Sequence, residues 1–382
     1  MTRLSRRGQV EPFHVMETAA AAARRQDTHG DAILLCVGQP ATPAPLVVRE
    51  AARAAIKQKV LGYTVTAGIP ELRATIAADY ADRYHVGVDP ADVVITTGSS
   101  AGFQLVLLAA FDAGDTVAMT RPGYPAYRNT LLSLGARVID LEAGPQTRYQ
   151  PTVAMLEALP EPPAGLVIAS PANPTGTIID PGELAELAAW CAANDCLLIS
   201  DEIYHGISYG RDCVTVRQFS ADAVAVGSVS KYHSMTGWRL GWLVLPRALR
   251  RPVELLQGNL AICAPAISQV AALAAFAAEA RAELDGHVAR YARNRDLLLR
   301  RLPELGITAF APPDGAFYAY CDVSHLTTDS QRWCADVLAA TGVALAPGID
   351  FDPVAGNRMM RLSFCGQTDE LAEALDRLAR LT

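Results

Sequence analysis

The sequence predicts an α/β protein, a mostly parallel seven-stranded sheet flanked by helices and joined to a smaller α+β domain. Three observations support this. Seven short β-rich runs recur between residues 93 and 245, and most are continuous apolar stretches, as strands covered on both faces require. Helical patterns separate them, and strands alternating with helices imply a layered sheet. Beyond Ala278 the texture changes to a long charged helical pattern followed by shorter mixed elements.

The first 45 residues, including Gly38-Gln39-Pro40, read as too irregular to stand alone and as packing on the smaller domain or on a partner subunit. Predicted strands are Val93–Thr97, Thr116–Thr120, Ala136–Leu141, Leu166–Ser170, Cys196–Ser200, Ala223–Ser228 and Leu240–Leu245. Between them, Gly102–Phe111, Ala126–Leu134 and Gly182–Ala193 carry helical patterns. Asp180-Pro181-Gly182-Glu183 is a helix start, with Asp180 as cap, Pro181 in the first turn and Glu183 three after the cap. A helix over Arg281–Leu302 leads to short elements around Ala316–Val323, Val343–Ala346 and Met359–Phe364, and residues 369–381 form a closing amphipathic helix. The expected division is a large domain over 46–288 and a small one built from 1–45 and 289–382.

Composition bounds the partners. The chain has 382 residues, 33 Lys and Arg against 40 Asp and Glu, and a formal net charge of −7. Such a balance offers no electrostatic footprint for nucleic acid, so small molecules or a second copy of the chain are the expected partners. Hydrophobic residues make up 51%, ample for large cores, which excludes disorder as the main state. Eight cysteines form no CxxC pair and read as reduced thiols of a cytoplasmic protein. The longest uncharged run, Leu255 to Ala278, carries Gln257, Asn259, Pro265, Ser268 and Gln269, and reads as buried helix rather than a membrane span.

The chemistry gathers at strand ends, where layered α/β sheets place their ligands. Gly98-Ser99-Ser100-Ala101-Gly102 follows a strand and opens a helix. It suits a nucleophile elbow with Ser100 attacking an acyl carbonyl, or a phosphate cradle of backbone N–H groups; taken alone it is also a plain tight turn. Ser170-Pro-Ala-Asn173-Pro174-Thr-Gly176 ends a second strand in a rigid turn, and Ser200-Asp201-Glu202-Ile203-Tyr204 ends a third with an acid. Ser228-Val-Ser-Lys231 ends a fourth with a lysine, a residue that usually lies solvated on helices and that forms Schiff bases when its pKa is lowered. It also matches the S-x-x-K of β-lactamase-like enzymes, but neither S-D-N nor K-T-G follows. Asn173, Asp201 and Lys231 are spaced by about one βα unit each, so their strand mouths can converge. A phosphate cradle, a strand-end lysine, an acid and Arg239 suit pyridoxal phosphate, which needs an amine, a carboxylate at its ring nitrogen and phosphate ligands. No metal site is expected.

Three segments closely resemble the class I and II aminotransferases, fold-type I pyridoxal-phosphate enzymes. They are Ser170 to Gly176, Ser200 to Tyr204, and Ser228-Val-Ser-Lys-Tyr-His-Ser-Met-Thr-Gly-Trp-Arg-Leu-Gly241. The resemblance extends from Gly38, through Tyr63 to Arg73, to Arg361-Leu-Ser-Phe364. It implies pyridoxal 5'-phosphate as cofactor, amino-acid and 2-oxo-acid substrates exchanged by a ping-pong mechanism, and a homodimer with active sites at the subunit interface. By the same resemblance, Lys231 would hold the cofactor as a Schiff base and move the Cα proton. Asp201 would keep the ring nitrogen protonated, while Asn173 and Tyr204 would hydrogen-bond the ring oxygen. Ser99, Ser100, Ser228 and Arg239 would grip the phosphate, Tyr124 would stack on the ring, and Tyr63 would reach the phosphate of the other subunit. Arg361 would clamp the substrate α-carboxylate, with Gly38 and Asn173 beside it.

One departure bears on specificity. Some aspartate-using relatives carry a Lys in the phosphate loop where Ser100 stands, and no second Arg is evident in 255–270. An unpaired distal carboxylate would be penalised, which favours a neutral or hydrophobic donor, with 2-oxoglutarate or pyruvate as acceptor by resemblance. The alternatives are another pyridoxal-phosphate activity such as a C–S β-lyase, a serine hydrolase using Ser100, and a non-catalytic regulator that retains the fold.

Overall fold

The computed structural model describes residues 3–381. The chain opens with α1 (His14–His29), a two-residue strand β1 (Ile33–Leu34), α2 (Leu46–Gln58) and α3 (Pro70–Tyr84). Then come β2 (Val93–Thr96), α4 (Gly98–Ala110), β3 (Thr116–Arg121), α5 (Pro125–Leu134), β4 (Arg137–Glu142) and α6 (Val153–Glu157). β5 (Gly165–Ala169), α7 (Pro181–Ala193), β6 (Leu197–Asp201), β7 (Val224–Ser228) and β8 (Gly241–Val244) complete the alternation. Each of the seven predicted strands is present to within one residue at either end.

These seven strands form one sheet in the order β2-β8-β7-β6-β5-β3-β4. β4, β3, β5, β6 and β7 run parallel, whereas β8 is antiparallel to both β7 and β2, so the sheet is mixed. The reason is local. A parallel neighbour needs a crossover, but β7 returns directly into β8 through the loop that carries Lys231 and Arg239. Every residue of β2, β7 and β8 is buried, which explains their continuous apolar character. At the start of α7 the Asp180 side chain accepts the Gly182 N–H at 2.9 Å, the cap that the sequence predicts.

The remaining helices are α8 (Arg247–Leu260), α9 (Ala266–Ala272), α10 (Ala278–Arg301), α11 (Ser330–Thr341) and α12 (Thr368–Leu378). The run from Leu255 to Ala278 is therefore not one buried helix. α8 ends at Leu260, Ile262 takes a left-handed conformation, and Pro265 precedes α9. Among the described residues, no helix is long and apolar enough to cross a membrane.

β9 (Tyr318–Asp322), β11 (Ala346–Pro347) and β12 (Met359–Ser363) form a small antiparallel sheet, and β10 (Val343–Ala344) pairs in parallel with β1. Phe317, Tyr318, Tyr291 and Leu362 build its core with α10 and α12. The N-terminal segment read as irregular holds the sixteen-residue α1, whose Val15 and Ala22 share a core with Cys36, Tyr320 and Phe351. The expected boundary at residue 288 falls inside α10.

Candidate active site

The carboxyl ends of β5, β6 and β7 and the first turn of α4 open onto one cavity of about 550 Å³. Lys231, in the β7–β8 loop, stands in it half-buried, and its Nζ donates to the Gly38 carbonyl at 2.8 Å. Burial pushes the Lys231 amine down to about 8; Cys365 and Asp201 oppose that shift, and Arg361 and Arg239 add to it. Gly38 is required by packing, because a Cβ there would lie 1.7 Å from the Tyr318 hydroxyl oxygen.

One end of the cavity is built for an anion. Gly98 begins α4 with φ +74° at the mouth of β2, and Thr97 offers no side-chain cap, so the leading N–H groups of the helix are available. A Cβ on Gly98 would meet Arg239 Nη2 at 2.4 Å, and one on Gly241 would meet the Ser99 backbone nitrogen at 2.6 Å. Ser99, Ser100, Ser230 and Arg239 line this end. Ser228 does not line the cavity. Its Oγ lies 2.9 Å from Ser230 Oγ and 3.1 Å from the Leu240 carbonyl and accepts the Ser230 N–H, so it braces the turn.

Asp201, at the end of β6, is buried at the cavity wall. The Tyr127 hydroxyl donates to its Oδ2, and the Ile203 N–H donates to its Oδ1 at 3.2 Å. Burial nevertheless pushes the carboxyl up to about 6, against those two hydrogen bonds and the Lys231 charge. A buried anion in this state calls for a cationic partner. Tyr124 packs edge-on against Tyr127 and Phe13, with ring centroids at 5.3 and 5.9 Å.

At the other end stands Arg361, 2% exposed. Its Nη1 donates to Asn173 Oδ1 at 2.8 Å and its Nη2 to the Cys36 carbonyl, while the guanidinium lies 4.3 Å from the Tyr318 ring centroid and 4.7 Å from that of Phe351. The Tyr204 hydroxyl lies 2.8 Å from that of Tyr318. Of the predicted residues, Gly38, Ser99, Ser100, Tyr124, Asn173, Asp201, Tyr204, Lys231, Arg239 and Arg361 converge on the cavity. Tyr63 does not; it is 83% exposed, beside Val60 at 98%.

Tyr127, Ser230, Tyr318, Phe351 and the apolar wall of Phe13, Val15 and Met16 are not among the predicted residues. Only Ser230, inside the lysine motif, carried a local signal. No histidine lines the cavity among the described residues, so the cavity offers Ser100 no Ser–His pair.

The mixed seven-stranded sheet and a lysine-centred cavity at its strand mouths define an α/β enzyme of the fold-type I kind. The family model for aminotransferase class I and II matches residues 30–378, and the chain belongs to that family of pyridoxal-phosphate enzymes. It is a transaminase, moving an amino group between an amino acid and a 2-oxo acid. It is 55% identical over 378 residues to a valine–pyruvate aminotransferase of Mycobacterium tuberculosis, covering 98% of this chain and 97% of that one. An aspartate/prephenate aminotransferase of Thermus thermophilus is 32% identical over 386 residues, covering 100% and 99%. The crystal structure of an aminotransferase from Mycobacterium tuberculosis superimposes with a TM-score of 0.98 at 55% identity, covering 100% and 99%.

Proposed function

We propose that this transaminase takes its amino group from a neutral aliphatic amino acid, valine foremost, and delivers it to pyruvate. One observation carries the donor class. Among the described residues, the cavity's cations are Lys231, Arg239 and Arg361, each with an assigned task, so none of these remains for a distal carboxylate. Phe13, Val15, Met16, Val37 and Ile203 supply apolar surface instead. The 55% identity to the valine–pyruvate enzyme supports both partners.

The residues fit pyridoxal phosphate. The Gly98 and Gly241 positions leave a cradle that a Cβ would fill, Arg239 borders it, and Asp201 offers a buried carboxylate for a protonated ring nitrogen. Ser99, Ser100, Ser230 and Arg239 would hold the phosphate, Lys231 the aldehyde carbon, and Asn173 and Tyr204 the ring oxygen, with Tyr124 against the ring. When bound, the cofactor supplies an electron sink for the charge left as a Cα proton departs. Lys231 Nζ, with its pKa near 8, is the base for that proton, since part of it is neutral at physiological pH. Arg361 binds the α-carboxylate, its fork held in orientation by Asn173, Cys36 and the two flanking rings. Tyr127 and the Ile203 N–H keep Asp201 aimed and ionised.

Tyr63 and Val60 belong to a face that a second copy covers, with Tyr63 entering the other subunit's phosphate site. The eight free thiols suit a reducing cytoplasm. The test is steady-state kinetics with valine, alanine, aspartate and phenylalanine against pyruvate and 2-oxoglutarate. Valine with pyruvate should give the highest kcat/KM; aspartate ranking first would overturn the donor assignment. A C–S lyase would release a 2-oxo acid with no acceptor present.

A further inference from the structure

The first turn of an α-helix leaves its leading N–H groups without partners inside the helix. In α1 the preceding residue, Phe13, supplies no side-chain cap. A residue more than three hundred positions away does so instead. The His14 N–H donates to Asp350 Oδ1 at 2.8 Å and the Val15 N–H to Asp350 Oδ2 at 2.6 Å. Both carboxylate oxygens are thus committed to one helix end, where a negative charge also suits the helix dipole. Asp350 is 9% exposed, so water competes little for these bonds.

The helix end held in this way forms a wall of the active-site cavity, through Phe13, Val15 and Met16. Val15 packs in one core with Phe351, the next residue after Asp350, and the Phe351 ring lies 4.7 Å from the Arg361 guanidinium. Asp350-Phe351 therefore touches both the apolar wall and the arginine proposed for the α-carboxylate. Locally the turn has only the Phe13 carbonyl, which accepts from the Met16 and Glu17 N–H groups, and a His14–Glu17 side-chain contact at 3.1 Å. None of these reaches the His14 and Val15 N–H groups, so with the clamp gone those two need new partners and the wall is free to shift.

We infer that Asp350 is a specificity-determining positioning residue, which clamps the start of α1 so that Phe13, Val15 and Met16 form a fixed surface for the donor's aliphatic side chain. This rests on the neutral-donor reading and deepens it by naming the residue that holds the surface in place. Asp350 touches neither substrate nor cofactor. Its effect is on discrimination by side-chain bulk, because an apolar wall gains from extra methyl groups only when it meets them in a set position.

The experiment compares the cofactor-loaded enzyme with Asp350→Asn, Asp350→Ala and Met16→Ala in single-turnover amino transfer from valine, alanine and aspartate. In Asp350→Ala, the apparent Kd for valine should rise roughly tenfold, with the saturating rate within about twofold and alanine changed by less than about threefold. Asp350→Asn keeps one acceptor oxygen and should lose less, and it carries the test if the alanine variant fails to fold. Met16→Ala leaves the clamp intact and should lower the valine-to-alanine preference in the same direction. Amide hydrogen exchange over residues 14–17 should quicken in the Asp350 variants alone. Equal losses for valine and alanine, or a loss confined to the saturating rate, would overturn the role of Asp350. An unchanged valine-to-alanine ratio in a valine-preferring enzyme would overturn it while leaving the donor assignment standing. A parent enzyme that prefers aspartate would overturn both.

Discussion

At Lys231, burial works against the very charge that a lysine normally carries. Desolvation disfavours the ammonium and brings the amine near 8, while the Gly38 carbonyl 2.8 Å away keeps it aimed. Lys231→Ala should therefore abolish turnover and leave the fold unchanged by circular dichroism. Borohydride reduction of the loaded parent enzyme, followed by mass spectrometry, should find the cofactor on Lys231; label on another lysine would defeat the assignment. Arg361 poses the opposite problem, a permanent cation held between two aromatic rings and two acceptors. Arg361→Lys keeps the charge and loses the fork. It should lower kcat/KM for every amino donor by roughly ten- to a hundredfold, on the order of 1.5–3 kcal/mol. A loss confined to one donor would argue against an α-carboxylate clamp.

The element that matters most to the site is the β7–β8 pair, because the turn between its strands carries both Lys231 and Arg239. Its close packing depends on Gly227, paired with Trp242 across the two strands. A Cβ there would fall 2.1 Å from the Trp242 ring. Gly227→Ala should thus destabilise the protein by about 1–3 kcal/mol, read as a lower urea midpoint at unchanged slope. Cofactor affinity should fall with it, because Ser228 and the turn follow directly. Stability equal to the parent's would mean that Trp242 moves aside freely.

Across the whole molecule, buried titratable groups pull stability in opposite directions with pH. His205 and His233 are both pushed down to about 3 by burial, so between about 3 and 6.5 the unfolded chain holds more protons on them and stability falls on acidification. Glu202 is pushed up to about 7 and Asp201 to about 6, again by burial. In the cofactor-free protein these carboxyls bind protons more tightly when folded, so their share of stability is present below the unfolded pKa and fades as pH rises through about 6 to 7. The two sets offset one another between roughly pH 4 and 6.5, and below about 4 the histidines act unopposed. Urea midpoints of the cofactor-free protein should change little in the first window and drop in the second. His233→Phe should soften that acid drop; an unchanged acid profile would show that His233 is not held neutral in the fold.

The sequence by itself determined the seven sheet strands, the Asp180 cap and the strand-end residues Asn173, Asp201, Tyr204 and Lys231, because each is written in a contiguous run of residues. Periodicity, turn chemistry and motif spacing are local properties, and local physics reads them directly. It also identified Arg239 and Arg361, through their place in matched segments. What only the tertiary structure decided are the pairings between distant parts of the chain. The antiparallel turn of β8, Tyr127 on Asp201, Phe351 against Arg361, and Asp350 across the start of α1 belong to this group. Ser228 shows the same limit from the other side: the motif marks the hydroxyl, but packing turns it toward Ser230 and Leu240. Such choices depend on which surfaces meet when two cores close around one cavity, and no window of neighbouring residues contains both partners.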